Sequence, residues 1–213
     1  LNAHETMMRM RGRPKVMLAR NYDEAIELYN KYSKHILGVI SDVSFVRGDV
    51  KDKQAGLKLA NYLRSQDPNL PIIIESSDSE NAEHVADFNG TFLDKNSKKL
   101  PVDLGNAVMK NFGFGDFVII NPQSGEEIMR IRNLKEFQDN VFNIPADSLL
   151  YHAQRDHISR WLYSRALFPI AQVVKMHRFR DISEAPAVRQ LFFDLIVKYR
   201  KMKNRGVVAE FHK

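Results

Sequence analysis

Ile36-Leu37-Gly38-Val39-Ile40-Ser41-Asp42 is an apolar run that ends on a carboxylate, and two later runs follow the same plan. Ile72-Ile73-Ile74-Glu75-Ser76-Ser77 ends on hydroxyls, and Thr91-Phe92-Leu93-Asp94-Lys95 ends on an ammonium. Short, nearly continuous apolar runs fit strands buried on both faces, the habit of parallel sheets. Helical patterns separate them. Asp23 to Tyr32 sets Ala25, Ile26, Leu28 and Tyr29 at core spacing, and Leu57 to Arg64 is amphipathic and stops at Asp67-Pro68. Ser79 is a candidate N-cap for a helix through Val85, and Leu104 to Phe112 predicts another, closed by Gly113. Strands alternating with helices predict βαβ units and a doubly wound α/β fold with helices on both faces of a parallel sheet. The same reading puts a strand at Lys15 to Ala19, a helix tail over 1–13 that stops near Gly12 and Pro14, and a long polar loop from Val46 to Gly56.

Open α/β sheets bind ligands outside the carboxyl ends of their strands. Asp42, Ser76 and Lys95 all fall there, and an acid, a hydroxyl and an ammonium together suit a phosphoryl group: one accepts it, one donates to its oxygens, one neutralises its charge. Each has a plainer reading beside this one. Asp42 would cap the following loop, Ser76 with Ser77 would start a turn, and Lys95 would be a surface lysine. Glu75 precedes Ser76 and so falls on the opposite side of the sheet, away from any metal role at that edge.

Composition shifts at Gly113-Phe114-Gly115-Asp116-Phe117, which marks a junction between domains at 1–112 and 113–213. Phe117 to Asn121 and Glu127 to Ile131 flank Pro122-Gln123-Ser124-Gly125, a hairpin signal. Helical patterns follow over Leu134 to Phe142, Asp147 to Ala166, Ile170 to Val174 and Ala187 to Met202, so the second domain reads as a small α+β unit, a hairpin plus helices. In its longest early helix, His152 and Asp156 are four apart, as are His157 and Trp161, so each pair shares a helix face. That leaves a metal or acid–base site open geometrically. The two histidines are five apart, however, and lack the four-residue spacing and neighbouring glutamate of zinc-binding helices. The cluster reads first as a packed, hydrogen-bonded helix or a docking surface.

The chain has 213 residues, 44% of them hydrophobic, enough for a full core in one or two domains. No apolar run approaches the roughly 20 residues needed to cross a bilayer, and Leu1-Asn2-Ala3-His4-Glu5 lacks a signal-peptide pattern. With no cysteine, disulfides, thiolate metal sites and cysteine nucleophiles are excluded, and a cytoplasmic location without a membrane partner is expected. The net charge of +6 gathers at the two ends, in Arg9, Arg11, Arg13 and Lys15 and in Arg178, Arg180, Lys198, Arg200, Lys201, Lys203 and Arg205. No nucleic-acid reading module accompanies these residues, so they read as solvated helix faces.

In order and at successive strand ends, Asp42, Ser76 and Lys95 resemble the signature of the receiver domain of bacterial response regulators, from residue 15 to about 112. The resemblance implies a flavodoxin-like fold, Asp42 as phosphoacceptor, Ser76 and Lys95 as support for the phosphoryl group, and a histidine kinase or small phosphodonor as partner in two-component phosphorelay signalling. Asn96 stands where the family usually has proline, the Met-Pro pair common after the acceptor is absent, and Gly56 comes late. Receivers hold Mg²⁺ with an acidic pair at the end of their first strand. Here Lys15 to Ala19 is followed by Arg20 and Asn21 and matches the second strand, so the first strand and its pair are expected to precede Leu1. Asp42 is then an incomplete metal ligand, with Mg²⁺ expected only alongside that pair. The sheet edge left open is expected to recruit a neighbouring chain, making a homo-oligomer, or else to rearrange or shift register.

A wider resemblance spans most of the chain. Arg13-Pro-Lys-Val-Met-Leu-Ala19, Leu37 to Asp42, Phe92 to Ser97, Asn111 to Val118 and Ser148 to Leu162 are similar to the amino-terminal region of large bacterial phosphoenolpyruvate synthase or pyruvate phosphate dikinase-like proteins, in which a receiver-like module precedes an ATP-binding domain. This implies a regulatory part attached to an ATP-dependent phosphotransferase, with no enzymatic activity of its own. The competing expectation is a non-phosphorylated structural or interaction module attached to a pyruvate- or phosphoenolpyruvate-utilising enzyme.

Overall fold

Asn21 begins the first helix by capping it: its side-chain oxygen accepts from the Glu24 N–H at 2.8 Å, and Asp23 and Glu24 sit in the first turn of α1 (Tyr22–Tyr32), where the helix dipole favours acids. The computed structural model describes residues 14–177 and 179–205, which divide into two units between Phe114 and Gly115. After α1, unit 1 continues through β1 (Val39–Asp42), β2 (Phe45–Arg47), β3 (Val50–Asp52), α2 (Ala55–Gln66), β4 (Ile72–Ser76), α3 (Asn81–Asp87), β5 (Thr91–Asp94) and α4 (Leu100–Asn111).

The three apolar runs form one parallel sheet in the order β1-β4-β5. Its central strand explains the unbroken isoleucines. Ile72 and Ile74 pack on one face with Tyr29, Leu59, Leu63 and Val85, while Ile73 packs on the other with Leu93, Ala107 and Phe112. Each isoleucine so buried contributes about 1.5–3 kcal/mol from apolar transfer, so residues polar on either face here would forfeit the sheet. The unit is therefore mixed α/β, with helices covering a parallel three-stranded sheet.

Several local expectations need correction. Residues 15–19 form no strand: they are irregular, with Val16 95% and Leu18 74% exposed. A strand needs a neighbour for its backbone groups; among the described strands β1 pairs only with β4, and a single bridge from Asn21 to Val46 is all that follows the segment. The loop expected from Val46 to Gly56 instead contains the antiparallel ribbon β2–β3, turned at Gly48, whose φ of 61° suits glycine. Ser79 does not cap α3; Asp78 shapes that turn, its carboxylate accepting from the Glu80 N–H at 3.0 Å. Helix α4 begins at Leu100 rather than Leu104, with Pro101 in its first turn, where a missing N–H costs nothing. The helix tail expected over 1–13 lies outside the described residues.

In unit 2, β6 (Phe117–Ile120) and β7 (Glu127–Ile131) make an antiparallel hairpin, with Gly125 at φ 74° in its turn and a bulge between Ile119 and Ile120. Helices α5 (Leu134–Asn140), α6 (Ala146–Gln154), α7 (His157–Tyr163), α8 (Phe168–Met176) and α9 (Ala185–Arg205) follow. The continuous helix expected from Asp147 to Ala166 is broken at Asp156, which adopts φ 58° and ψ 16°. Aspartate tolerates this left-handed conformation better than most residues. Phe117, Phe137, Trp161 and Phe192 build the core, with Phe137 and Trp161 stacked at 6.0 Å between ring centres. Among the described residues no helix is long and apolar enough to cross a membrane.

Candidate functional site

Parallel pairing aligns Asp42 with Glu75 and Ser76 with Asp94, so the carboxyl ends of β1, β4 and β5 open onto one edge. Lys95 follows β5 directly and reaches back across that edge: its Nζ lies 2.5 Å from Asp42 Oδ2. The Lys95 backbone N–H donates to the Ser76 carbonyl at 2.8 Å, which fixes the lysine to the central strand. Partial burial by itself raises the Asp42 carboxyl, but the hydrogen bond from Lys95 and the Ser44 N–H outweigh it and hold the group below the ordinary aspartate value. The Asp42 and Lys95 side chains are 46% and 34% exposed. A pair so solvated is worth at most about 1 kcal/mol, too little to make it a staple of the fold, and the carboxylate stays open to reagents.

Ser76 is nearly buried, at 6% exposure. Its Oγ accepts from the Asp78 N–H at 3.1 Å and from Asn81 Nδ2 at 3.2 Å, so it joins the edge through its backbone bond to Lys95 and its hydroxyl is held by its own loop. Two residues that the sequence marked only as departures from the receiver pattern shape the edge further. Asn96, at the place where a proline was expected, donates from Nδ2 to the Ser77 carbonyl at 2.8 Å and ties the two loops together. Gly56 lies against the end of β1: its N–H donates to the Val43 carbonyl at 2.9 Å, and a Cβ there would sit 2.0 Å from the Asp42 carbonyl oxygen. The signal for Gly56 was its position just inside a helix that begins after a long loop.

Among the described residues no group of three or more histidines, aspartates or glutamates is placed to hold a metal. Asp42 Oδ2 already faces an ammonium, and Mg²⁺ demands near-octahedral oxygen ligation. These residues therefore do not by themselves fit a resident Mg²⁺.

The second cluster is taken apart by the break at Asp156. Trp161 is 1% exposed, stacked in the core, with the Arg165 guanidinium 4.1 Å from its ring centre. The break also brings His152 and His157 together, Nδ1 to Nδ1 at 3.0 Å, a contact that helical spacing alone does not allow. The Ile120 N–H donates to His152 Nε2 at 3.1 Å. His152 must therefore carry its proton on Nδ1 and give it to His157 Nδ1, which leaves the His157 proton on Nε2. With Nδ1 protonated, His152 has no lone pair for a metal on that side. Burial first, and then the charge of Arg155, lowers His152 to about 4; burial, then His152, Arg160 and Arg155, lowers His157 to about 3. His152, Asp156 and Trp161 are buried, so this cluster is interior structure rather than a docking surface. No family model matches the chain, and no curated protein and no solved structure matches it either.

Proposed function

We propose that unit 1 is a receiver-like regulatory module of flavodoxin-like architecture, with Asp42 in the phosphoacceptor position. The observation that carries this reading is the Asp42–Lys95 pair at the carboxyl edge of the parallel sheet, beside Ser76 on the central strand. A carboxylate kept ionised and half exposed is a competent nucleophile toward phosphorus. In the proposed step an Asp42 oxygen bonds to the phosphorus of a histidine-borne or small-molecule donor, and the donor's bond to phosphorus breaks with its electron pair leaving on the donor. The acyl phosphate carries more negative charge than the carboxylate it replaces. Lys95 then gains a stronger partner, and a donor from the Ser76 loop is drawn toward the new oxygens. Through the wider sequence resemblance, the output is control of an attached ATP-binding, phosphoenolpyruvate- or pyruvate-utilising enzyme.

A second reading has its own support. Asp42 is already paired with Lys95, as in a receiver fold kept as a non-phosphorylated interaction module. Beryllofluoride, which mimics a phosphoryl group on aspartate, separates the two. In the full-length protein with Mg²⁺ present, a bound fluorine signal by NMR that disappears in Asp42→Asn supports phosphoacceptor function; no bound signal there supports the scaffold.

A further inference from the structure

The strand register gives the Asp42–Lys95 pair a third charged neighbour. On β4, Ile72 and Ile74 pack on the face of Tyr29 and Leu63, and Ile73 packs on the face of Leu93 and Phe112. Side chains alternate along a strand, so Glu75 projects with Ile73 while Ser76 falls on the other face. Asp42 is the aligned partner of Glu75 on β1, and Val39, three residues before it, packs with Ile72 on the opposite face. Leu93 is the aligned partner of Glu75 on β5, and Lys95 lies two residues further along that face. Asp42, Glu75 and Lys95 therefore share one face at the carboxyl edge. Adjacent strands lie about 4.8 Å apart, so the Lys95 side chain, in reaching from β5 to β1, crosses the end of β4, where Glu75 is the last residue on that face. One ammonium then stands among two carboxylates. Its hydrogen bond goes to Asp42, and among the described residues Glu75 has no ion-pair partner. Glu75 is partly exposed, so its charge faces the same water through which a reagent reaches Asp42.

We propose that Glu75 is a specificity-determining residue that selects the phosphoryl donor by charge: its carboxylate, one strand from Asp42 on the same face, disfavours a donor whose leaving group departs as an anion. This rests on the phosphoacceptor reading and adds to it the class of small donor that the edge accepts. Two small donors differ in this one respect. With acetyl phosphate, an Asp42 oxygen bonds to phosphorus, the phosphorus–oxygen bond to the acetyl group breaks, and its electron pair leaves on acetate, so negative charge grows on the departing group. With phosphoramidate, whose nitrogen is protonated at neutral pH, the phosphorus–nitrogen bond breaks and its electron pair leaves on neutral ammonia. Acetyl phosphate also arrives with more net negative charge than the zwitterion. Glu75 repels the first donor both on approach and in departure, and rejection of a wrong partner by a like charge is a general route to specificity.

The test is the ratio of initial rates at which acetyl phosphate and phosphoramidate label Asp42 in the full-length protein with Mg²⁺ present, followed by intact mass. Glu75→Gln keeps the shape of the side chain and removes its charge; Glu75→Asp keeps the charge. A solvated carboxylate at this range acts through water, so Glu75→Gln should raise the acetyl phosphate rate relative to phosphoramidate by about threefold at low salt. That gain should shrink as potassium chloride is added, because salt screens exposed charges. Glu75→Asp should leave the ratio close to that of the unaltered protein. Thermal unfolding of each variant confirms that it folds. If Glu75→Gln leaves the ratio unchanged, including by slowing both donors equally, or if Glu75→Asp shifts the ratio as much as Glu75→Gln does, the inference falls while the phosphoacceptor reading stands. A shift that added salt does not diminish overturns the inference likewise. If neither donor labels Asp42 in the unaltered protein, both fall together.

Discussion

Acid should loosen unit 2, and the cause should be His152 with His157. An unfolded chain takes up protons on these imidazoles near pH 6.5, whereas in the folded protein they are lowered to about 4 and about 3. Between those values the unfolded state binds more protons than the folded one, so stability is complete above pH 6.5, falls as the pH drops, and levels off below about pH 3. Each pH unit in the window is worth about 1.36 kcal/mol per group. His152 alone therefore removes about 2 kcal/mol by pH 5, and His157 acts in the same direction. Domains of ordinary stability hold about 5–15 kcal/mol, so the loss is measurable. The structural reason is the hydrogen-bond relay: a proton on His152 Nε2 expels the Ile120 N–H, and a proton on His157 Nδ1 sets two N–H groups against each other at 3.0 Å. Trp161, the chain's only tryptophan, reports the unfolding of this unit, followed by its fluorescence in urea at pH 7 and pH 5. The unaltered protein should lose stability over that interval, and His152→Gln, which keeps an acceptor for Ile120 but does not titrate, should recover about 2 kcal/mol of the loss. Equal pH slopes in the two proteins would refute the reasoning.

Gly56→Ala should destabilise unit 1 by about 1–3 kcal/mol, because the new Cβ meets the Asp42 carbonyl oxygen at 2.0 Å; an unchanged urea midpoint would show that α2 can shift away at no cost. Lys95→Ala should cost stability less than about 1 kcal/mol, since the pair with Asp42 is half exposed, yet it should greatly slow any phosphoryl transfer to Asp42. A large stability loss on its own would make Lys95 a structural residue. Ile73→Ala, in the central strand at 0% exposure, should cost about 2–5 kcal/mol, measured by denaturation of the whole chain; a value under 1 kcal/mol would mean that the face toward Phe112 is poorly packed.

How much could be read in the residues followed from how far each structural cause reaches along the chain. Ile72, Ile73 and Ile74 are legible because burial on both faces demands unbroken apolar side chains. Asp42 and Lys95 are legible as a pair because parallel strands deliver their ends to one edge. The segment 15–19 looks like a strand by composition, but strand formation depends on a neighbour that local sequence does not encode. The β2–β3 ribbon was hidden by the polar turn Arg47-Gly48-Asp49 and by side chains shared between a loop and an exposed edge. The meeting of His152 with His157 depends on one left-handed residue, Asp156, which helical spacing does not reveal. Asn81 and Asn96 act through hydrogen bonds to a loop whose path no periodicity describes.

Phosphoryl incorporation at Asp42 bears most directly on the whole account. The full-length protein and its Asp42→Asn variant, each incubated with acetyl phosphate and Mg²⁺, are compared by intact mass and by mapping of the modified peptide. A single phosphoryl group on the peptide containing Asp42, absent from the variant, is the expected result. An unmodified protein, or a modification that persists in Asp42→Asn, contradicts it.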